Sequence, residues 1–312
     1  MKVLYLIQTH QNPDQIYRLV QIIKTSSPRS YILISHSYNY SYLDASPFLK
    51  FPGVEVISRQ GGRGNFSLTR GYLEALDWIF SHNIEFDWLI NLSGQDYPTQ
   101  PLPKIENFLE STKYDGFLVY FDALSDSKQN PWGSKLGKRR YLYQYLQLSE
   151  SLSFWQQAIM KPLQEVINHM QSLVYIHSSY GLRIGIPAYC YPFNAKFLCY
   201  GGSFFSTLSQ KTVQYLYNFS KHNPQFVDYY KKLIIPEESY VQTVLVNSQR
   251  FNLCNENKRY YDFSKTKLGH PRLLTIEDYP ALIKDDIHFA RKFDMTQDSK
   301  VLDWLDARIL QV

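Results

Sequence analysis

Pro236-Glu237-Glu238 sets two adjacent carboxylates directly behind a proline, inside the stretch IIPEESYVQTVL (Ile234 to Leu245). Carboxylates in that place can do one of two things. They can mark a helix start, because proline suits the first turn and acids suit the positive end of the helix dipole. One of them can also remove a proton from a reacting hydroxyl, as a general base does. The local pattern predicts a helix and leaves the second role open. Asp96, in SGQDYP, is a lone acid at the end of a predicted strand, and the chain holds no Asp-x-Asp triplet. Many nucleotide-sugar transferases hold a divalent metal on such a triplet.

Other chemistry is poorly supported. The chain has no G-x-x-x-x-G-K-[ST], no HExxH and no G-x-S-x-G. GGRGNFS lacks the third glycine of a dinucleotide fingerprint and follows the third predicted strand, so an oxidoreductase is a weak alternative. Cys190, Cys199 and Cys254 show no CxxC or metal spacing, which suggests reduced thiols in a cytosolic protein.

Residues of these types need a scaffold. KVLYLI, SYILIS, GVEVIS and FDWLINLS read as buried strands, and helical patterns alternate with them through about residue 120. The expected fold class is α/β, a doubly wound and mostly parallel sheet. Ligands of such sheets bind at the carboxyl ends of strands, here Thr9–Gln11, Ser35–Ser37 and Ser93–Pro98. Tyr114 to Phe121 reads as a further strand. About Ala123 to Ser178 reads as a more helical, more polar insertion that shapes a substrate cleft. Cys199 to Leu216 reads as a glycine turn, a strand and a helix. With no linker, residues 1–312 are expected to form one domain.

Composition agrees with a globular protein that has a sizeable core. Hydrophobic residues make up 44% and charged residues 20% of the 312. Tyrosine-rich surfaces suit sugars, although AT-rich codon usage explains 26 tyrosines equally well. A net charge of +5, without a basic run longer than Gly137-Lys138-Arg139-Arg140, does not call for nucleic acid. It suits an anionic small substrate such as a nucleotide diphosphate. MKVLYLIQTHQNPDQ does not read as a signal peptide, and no window reaches the ~20 apolar residues of a membrane span. Any membrane contact is expected to be peripheral.

Four blocks carry a resemblance. LINLSGQDYPTQPL (Leu89 to Leu102), GGSFFSTLSQKTVQYL, PEESYVQTVLVNS (Pro236 to Ser248) and HFARKFD (His288 to Asp294) resemble, in order and spacing, the core-2/I-branching β-1,6-N-acetylglucosaminyltransferases. They also resemble the related protein O-xylosyltransferases. The resemblance implies a GT-A type glycosyltransferase fold with a helical insertion, residues 1–122 serving the nucleotide sugar and 123–312 the acceptor and catalysis. It implies inverting transfer of a sugar, N-acetylglucosamine or xylose, from a UDP donor to a hydroxyl of a glycan acceptor, with no divalent metal. By the resemblance, Glu238 is the general base and Glu237 a helix-end charge facing solvent. Arg272 and Lys292 stabilise the departing UDP, with Arg291 beside them. Thr9, His10, Gln11 and Asp96 line the donor site, with Asp96 orienting a cation or a sugar hydroxyl. Gly202 and Ser203 let backbone approach the sugar. Lys138, Arg139 and Tyr141 of the insertion either contact the acceptor or form a solvated basic face, and the sequence favours neither.

Two departures stand out. ISHSYNY keeps His36 but puts Tyr38 where the family often has an aspartate near the nucleotide. The animal enzymes' membrane anchor and many cysteines are not found here. That suggests a bacterial, cytoplasmic member, at most peripheral at the inner face of the membrane. A catalytically silent glycan- or nucleotide-binding module on the same fold is the alternative.

Overall fold

Four apolar runs become parallel strands: β1 (Val3–Thr9), β2 (Tyr31–His36), β3 (Val54–Ser58) and β4 (Trp88–Ser93). They come from a computed structural model that describes residues 1–62, 64–149, 152–171, 173–178, 181–264 and 270–311. Arg63 of the glycine-rich turn, residues 265–269 of the tail and a few residues of the insertion thus lie outside the described residues. Beyond β4 the sheet continues through Thr207–Ser209, Gly116–Phe117 and Leu253–Cys254. Thr207–Ser209 runs antiparallel to both its neighbours; every other pairing in the sheet is parallel. This is the expected doubly wound, mostly parallel α/β sheet.

Alternation along the strands builds two cores. Tyr5 and Ile7 of β1 face α1 (Pro13–Ser26), whose Ile16, Leu19, Val20 and Ile23 are fully buried, and the helix Lys300–Leu310. Leu4 and Leu6 face the other way, against Tyr72, Leu76 and Ile79 of α2 (Ser67–Ser81). Each such side chain contributes about 1.5–3 kcal/mol when fully buried. Strand ends are thereby fixed where the loops at Thr9, His36 and Ser93 open.

Three expectations need correction. The strand expected over Tyr114 to Phe121 is two short strands, Gly116–Phe117 and Tyr120–Asp122, and only the first joins the large sheet. The glycine turn is instead the strand Tyr200–Gly202, paired with Tyr120–Asp122. The insertion is less purely helical than expected. Between its helices α3 (Ser134–Tyr141) and α4 (Phe154–Met170) and beyond lies an antiparallel sheet of Tyr143–Gln147, Arg183–Pro187 and Tyr175–His177, with Arg183–Pro187 central.

Candidate functional site

Pro236-Glu237-Glu238 is a single 3-10 turn, and the helix proper begins only at Tyr240. The expectation of one continuous helix fails at Ser239, whose φ of −139° is not helical. Ser239 is buried and its hydroxyl bonds Tyr230 Oη at 2.9 Å and Thr243 Oγ1 at 3.2 Å, which holds the break in place. Ile235, before the proline, adopts the left-handed region at φ 51°. That region disfavours β-branched residues. Both its backbone groups are held: its N–H by the Gly64 carbonyl at 3.3 Å, its carbonyl by the Tyr141 hydroxyl at 3.3 Å. Strain held in this way is common at functional sites.

The turn treats its two glutamates differently. Arg140 Nη1 donates to Glu238 Oε2 at 2.7 Å, and a third of the Glu238 side chain stays exposed. The Arg140 guanidinium also stacks 4.4 Å from the Trp132 ring centre, which fixes its direction. Burial raises the Glu238 pKa, while Arg140 and then Arg291 pull it down; the net direction is up. Glu237 does not face solvent, contrary to expectation. It is buried, its Oε2 has no hydrogen-bond partner among the described residues, and its pKa is pushed up to about 8 by burial and by the charge of Glu238. Near neutral pH Glu237 thus favours its protonated form, while the contact with Arg140 favours the ionised form of Glu238. An ionised, accessible carboxylate is what a general base requires.

A second cluster flanks the turn. Asp96 begins a short strand, Asp96–Pro98, that pairs antiparallel with Phe289–Arg291, and the register sets Arg291 opposite Asp96. Asp96 is fully buried and accepts the Ser93 N–H at 2.8 Å and the Ser93 hydroxyl. Its other oxygen lies 3.7 Å from Arg291 Nε. Arg291 stacks 4.0 Å from the Phe205 ring centre. Burial lowers its pKa, opposed by Asp96 and Glu238. Arg291 therefore links the lone acid to the turn. Lys292 follows, half-buried, its carbonyl accepting the Leu274 N–H at 2.9 Å. That bond docks the segment carrying Arg272. Arg272 donates to Asp262 at 2.6 Å, to Asp278 through both terminal nitrogens, and to the Leu273 carbonyl at 3.0 Å.

At the strand ends, Thr9 is buried with its hydroxyl 2.7 Å from His36 Nδ1. His10 packs edge-on against Tyr40, and Gln11 is exposed. Tyr38 leans edge-on over His36, ring centres 4.8 Å apart. A surface cavity of about 500 Å³ lies at the sheet edge, lined by Arg59, Gln60, Arg70, Glu74 and Trp78 among others, and not by Glu238.

A model of the Core-2/I-Branching enzyme matches residues 3–283. The chain belongs to that family. Its mostly parallel α/β sheet agrees with the fold class expected from the sequence. Beta-glucuronosyltransferase GlcAT14B of Arabidopsis thaliana is 24% identical over 84% of this chain and 54% of its own length. Xylosyltransferase 2 of Rattus norvegicus is 25% identical over 98% of this chain and 33% of its own. The chain thus spans between a third and about half of these relatives. The galactosyltransferase LgtC, solved with donor and acceptor sugar analogues, overlays the whole chain at 9% identity and a TM-score of 0.37.

Within this family member, the residues expected at the acceptor are arranged differently. Tyr141 is fully buried, its hydroxyl on the Ile235 carbonyl, so it holds the turn and faces no acceptor. Arg139 points into the insertion, donating to the Asn168 carbonyl at 3.1 Å and stacking on Tyr175 at 4.1 Å. Arg140, between them, is the residue that meets Glu238, and it was missed. The basic run was its only sequence signal. Gly202 is buried, and a Cβ there would fall 1.8 Å from the Val119 carbonyl oxygen. Neighbouring backbone, not a sugar, fills the space. Ser203 is half-buried and its carbonyl accepts Gln242 Nε2 at 2.5 Å. Arg59 was also missed as a site-shaping residue: it is buried and donates to the Ser35 and Thr9 carbonyls at 3.2 Å each.

The state of Glu237 has a consequence for stability. Its pKa rises from an ordinary 4.5 to about 8 on folding. The folded chain therefore keeps a proton that the unfolded chain releases, and stability falls as pH rises across that interval. Glu237→Gln mimics the protonated acid. It is expected to raise Tm by on the order of 5 °C at about pH 8.5 and hardly at all at about pH 5. Thermal unfolding followed by circular dichroism checks this; an equal shift at both pH values would show Glu237 to be ordinary.

Proposed function

We propose that the protein is an inverting glycosyltransferase that moves a sugar from a UDP donor to a hydroxyl of a glycan acceptor without a divalent metal. The observation that carries this reading is the Glu238 carboxylate, part-exposed, paired with Arg140 at 2.7 Å and set beside the buried Glu237. Glu238 takes the acceptor proton as that oxygen attacks the anomeric carbon. The bond from that carbon to the UDP oxygen breaks on the opposite face. One further negative charge then builds on the leaving diphosphate, which already carries two. Lys292 offers a compact point charge there, and Arg272 and Arg291 offer planar donor forks. Asp96 orients Arg291. Thr9, His10 and Gln11 border the donor at the end of β1. Ser203 and the surface of the insertion border the acceptor.

The relatives' names, beta-glucuronosyltransferase and xylosyltransferase, support sugar transfer as the reaction class. Xylose and N-acetylglucosamine are the donor sugars we favour. The test is turnover of a panel of UDP-sugars in excess EDTA, read as UDP release and product formation. Full activity in EDTA is expected. Strict dependence on manganese would contradict the role given to the chain's own cations. Donor binding with neither transfer nor hydrolysis would mark a silent module.

A further inference from the structure

The helix α4 is turned the wrong way round for a surface helix of a water-soluble domain. Trp155, Ile159, Leu163, Val166 and Met170 are between 49% and 78% exposed. At 100° per residue these five positions fall within an arc of about 80°, so they form one continuous apolar stripe. The stripe faces solvent. The opposite side is tied down by polar groups. Asn168 is buried and exchanges bonds with Ile176, Nδ2 to its carbonyl at 2.8 Å and its N–H to Oδ1 at 2.9 Å. Gln164 Oε1 accepts the Ser178 hydroxyl at 2.5 Å. A surface helix normally buries its apolar face and shows its polar one. An exposed apolar stripe of this kind marks a binding face.

Charge says what kind of surface covers it. Residues 123–200 carry eight Lys and Arg against three Asp and Glu; the rest of the chain carries 25 of each. The whole net charge of +5 therefore sits in the segment that bears the stripe. Lys128, Lys135, Lys138, Lys161 and Lys196 are all exposed. A second copy of the chain would set this charge against itself. One helix of 17 residues, about 25 Å long, is also a narrow basis for a dimer, which needs roughly 800 Å² from each partner. An anionic lipid surface meets both features, since it takes an apolar helix face between its headgroups and attracts lysines around it. Among the described residues no helix is long and apolar enough to cross a membrane, so contact through α4 is contact in the plane of the surface.

We propose that α4 is an interfacial anchor, which lays its apolar stripe into an anionic bilayer and is drawn there by the positive charge of the insertion. This does not depend on the reaction proposed above. The insertion also supplies Arg140 to Glu238, so docking through α4 would seat the cleft beside the bilayer.

The experiment is vesicle flotation of the full chain, with phosphatidylcholine alone and with about 30% phosphatidylglycerol added. The unaltered chain is expected to float with the anionic vesicles and to partition at least about tenfold less onto the neutral ones. Ile159→Glu with Leu163→Glu is expected to lower the anionic partition by about tenfold or more, with Tm unchanged because both side chains are exposed. If that pair fails to fold, Val166→Gln with Met170→Gln serves the same purpose. Absence of flotation with anionic vesicles would overturn the proposal, as would equal flotation of a folded variant. So would light scattering showing a dimer that the same variant converts to monomer, since a second copy would then be the occupant.

Discussion

Glu238→Gln is expected to lower the transfer rate by 10²- to 10⁴-fold, about the range that a positioned base contributes, while UDP affinity changes by less than about twofold. Glutamine keeps the shape of the side chain and can still accept a bond from Arg140, but it cannot hold a proton. The effect belongs to kcat and kcat/KM together, because proton removal occurs only in the transition state. Arg140, with only 14% of its side chain exposed, loses its anionic partner in this variant. Some loss of stability therefore accompanies the kinetic loss, of about 1–3 kcal/mol for a charge left with a neutral partner. Rates should be compared at a temperature where both proteins are folded. Burial also raises the Glu238 pKa. The acid limb of the wild-type kcat/KM profile should thus lie above the usual glutamate range.

Lys292→Ala is expected to lower kcat by about 10²- to 10³-fold, the scale for removing one group that meets developing charge. Arg272 is held by Asp262 and Asp278. Asp262 is itself pulled down to about 2, first by bonds from Ser264 and then by Arg272. Arg272→Ala therefore leaves the partly buried Asp278 unpaired and should cost stability as well as rate. In Lys292→Ala the backbone bond from the Leu274 N–H to the residue 292 carbonyl survives the change. Steady-state kinetics with the favoured UDP-sugar decide the matter. An unaltered kcat in Lys292→Ala would remove that residue from the leaving-group site.

Much of the scaffold was legible in the sequence because β1 to β4 are continuous apolar runs with α1 and α2 patterned between them. The start of α1 was marked by Asn12-Pro13-Asp14, and its buried face by the spacing of Ile16, Leu19, Val20 and Ile23. The short strands were not legible. Gly116–Phe117 and Tyr200–Gly202 are set by pairing partners far away in the chain, and two or three residues carry no period. The site was legible in type more than in contact. Glu237 and Glu238 are equivalent by local propensity. What separates them is the left-handed Ile235, the break at Ser239 and the insertion packed over one side of the turn, all tertiary. Arg139, Arg140 and Tyr141 point about 100° apart around one helix. Choosing Arg140 as the residue that meets Glu238 required knowing which way α3 turns. Gly202 is small because a carbonyl fills its space, a reason that no sequence spacing expresses.

The central claim is that Glu238 removes the acceptor proton. It is tested most directly by measuring sugar transfer by Glu238→Gln at saturating donor and acceptor, on protein whose UDP affinity has first been confirmed by calorimetry. The account predicts normal UDP binding with transfer reduced at least about 10²-fold. Transfer within a fewfold of the unaltered chain, or transfer lost only in step with UDP binding, would contradict it.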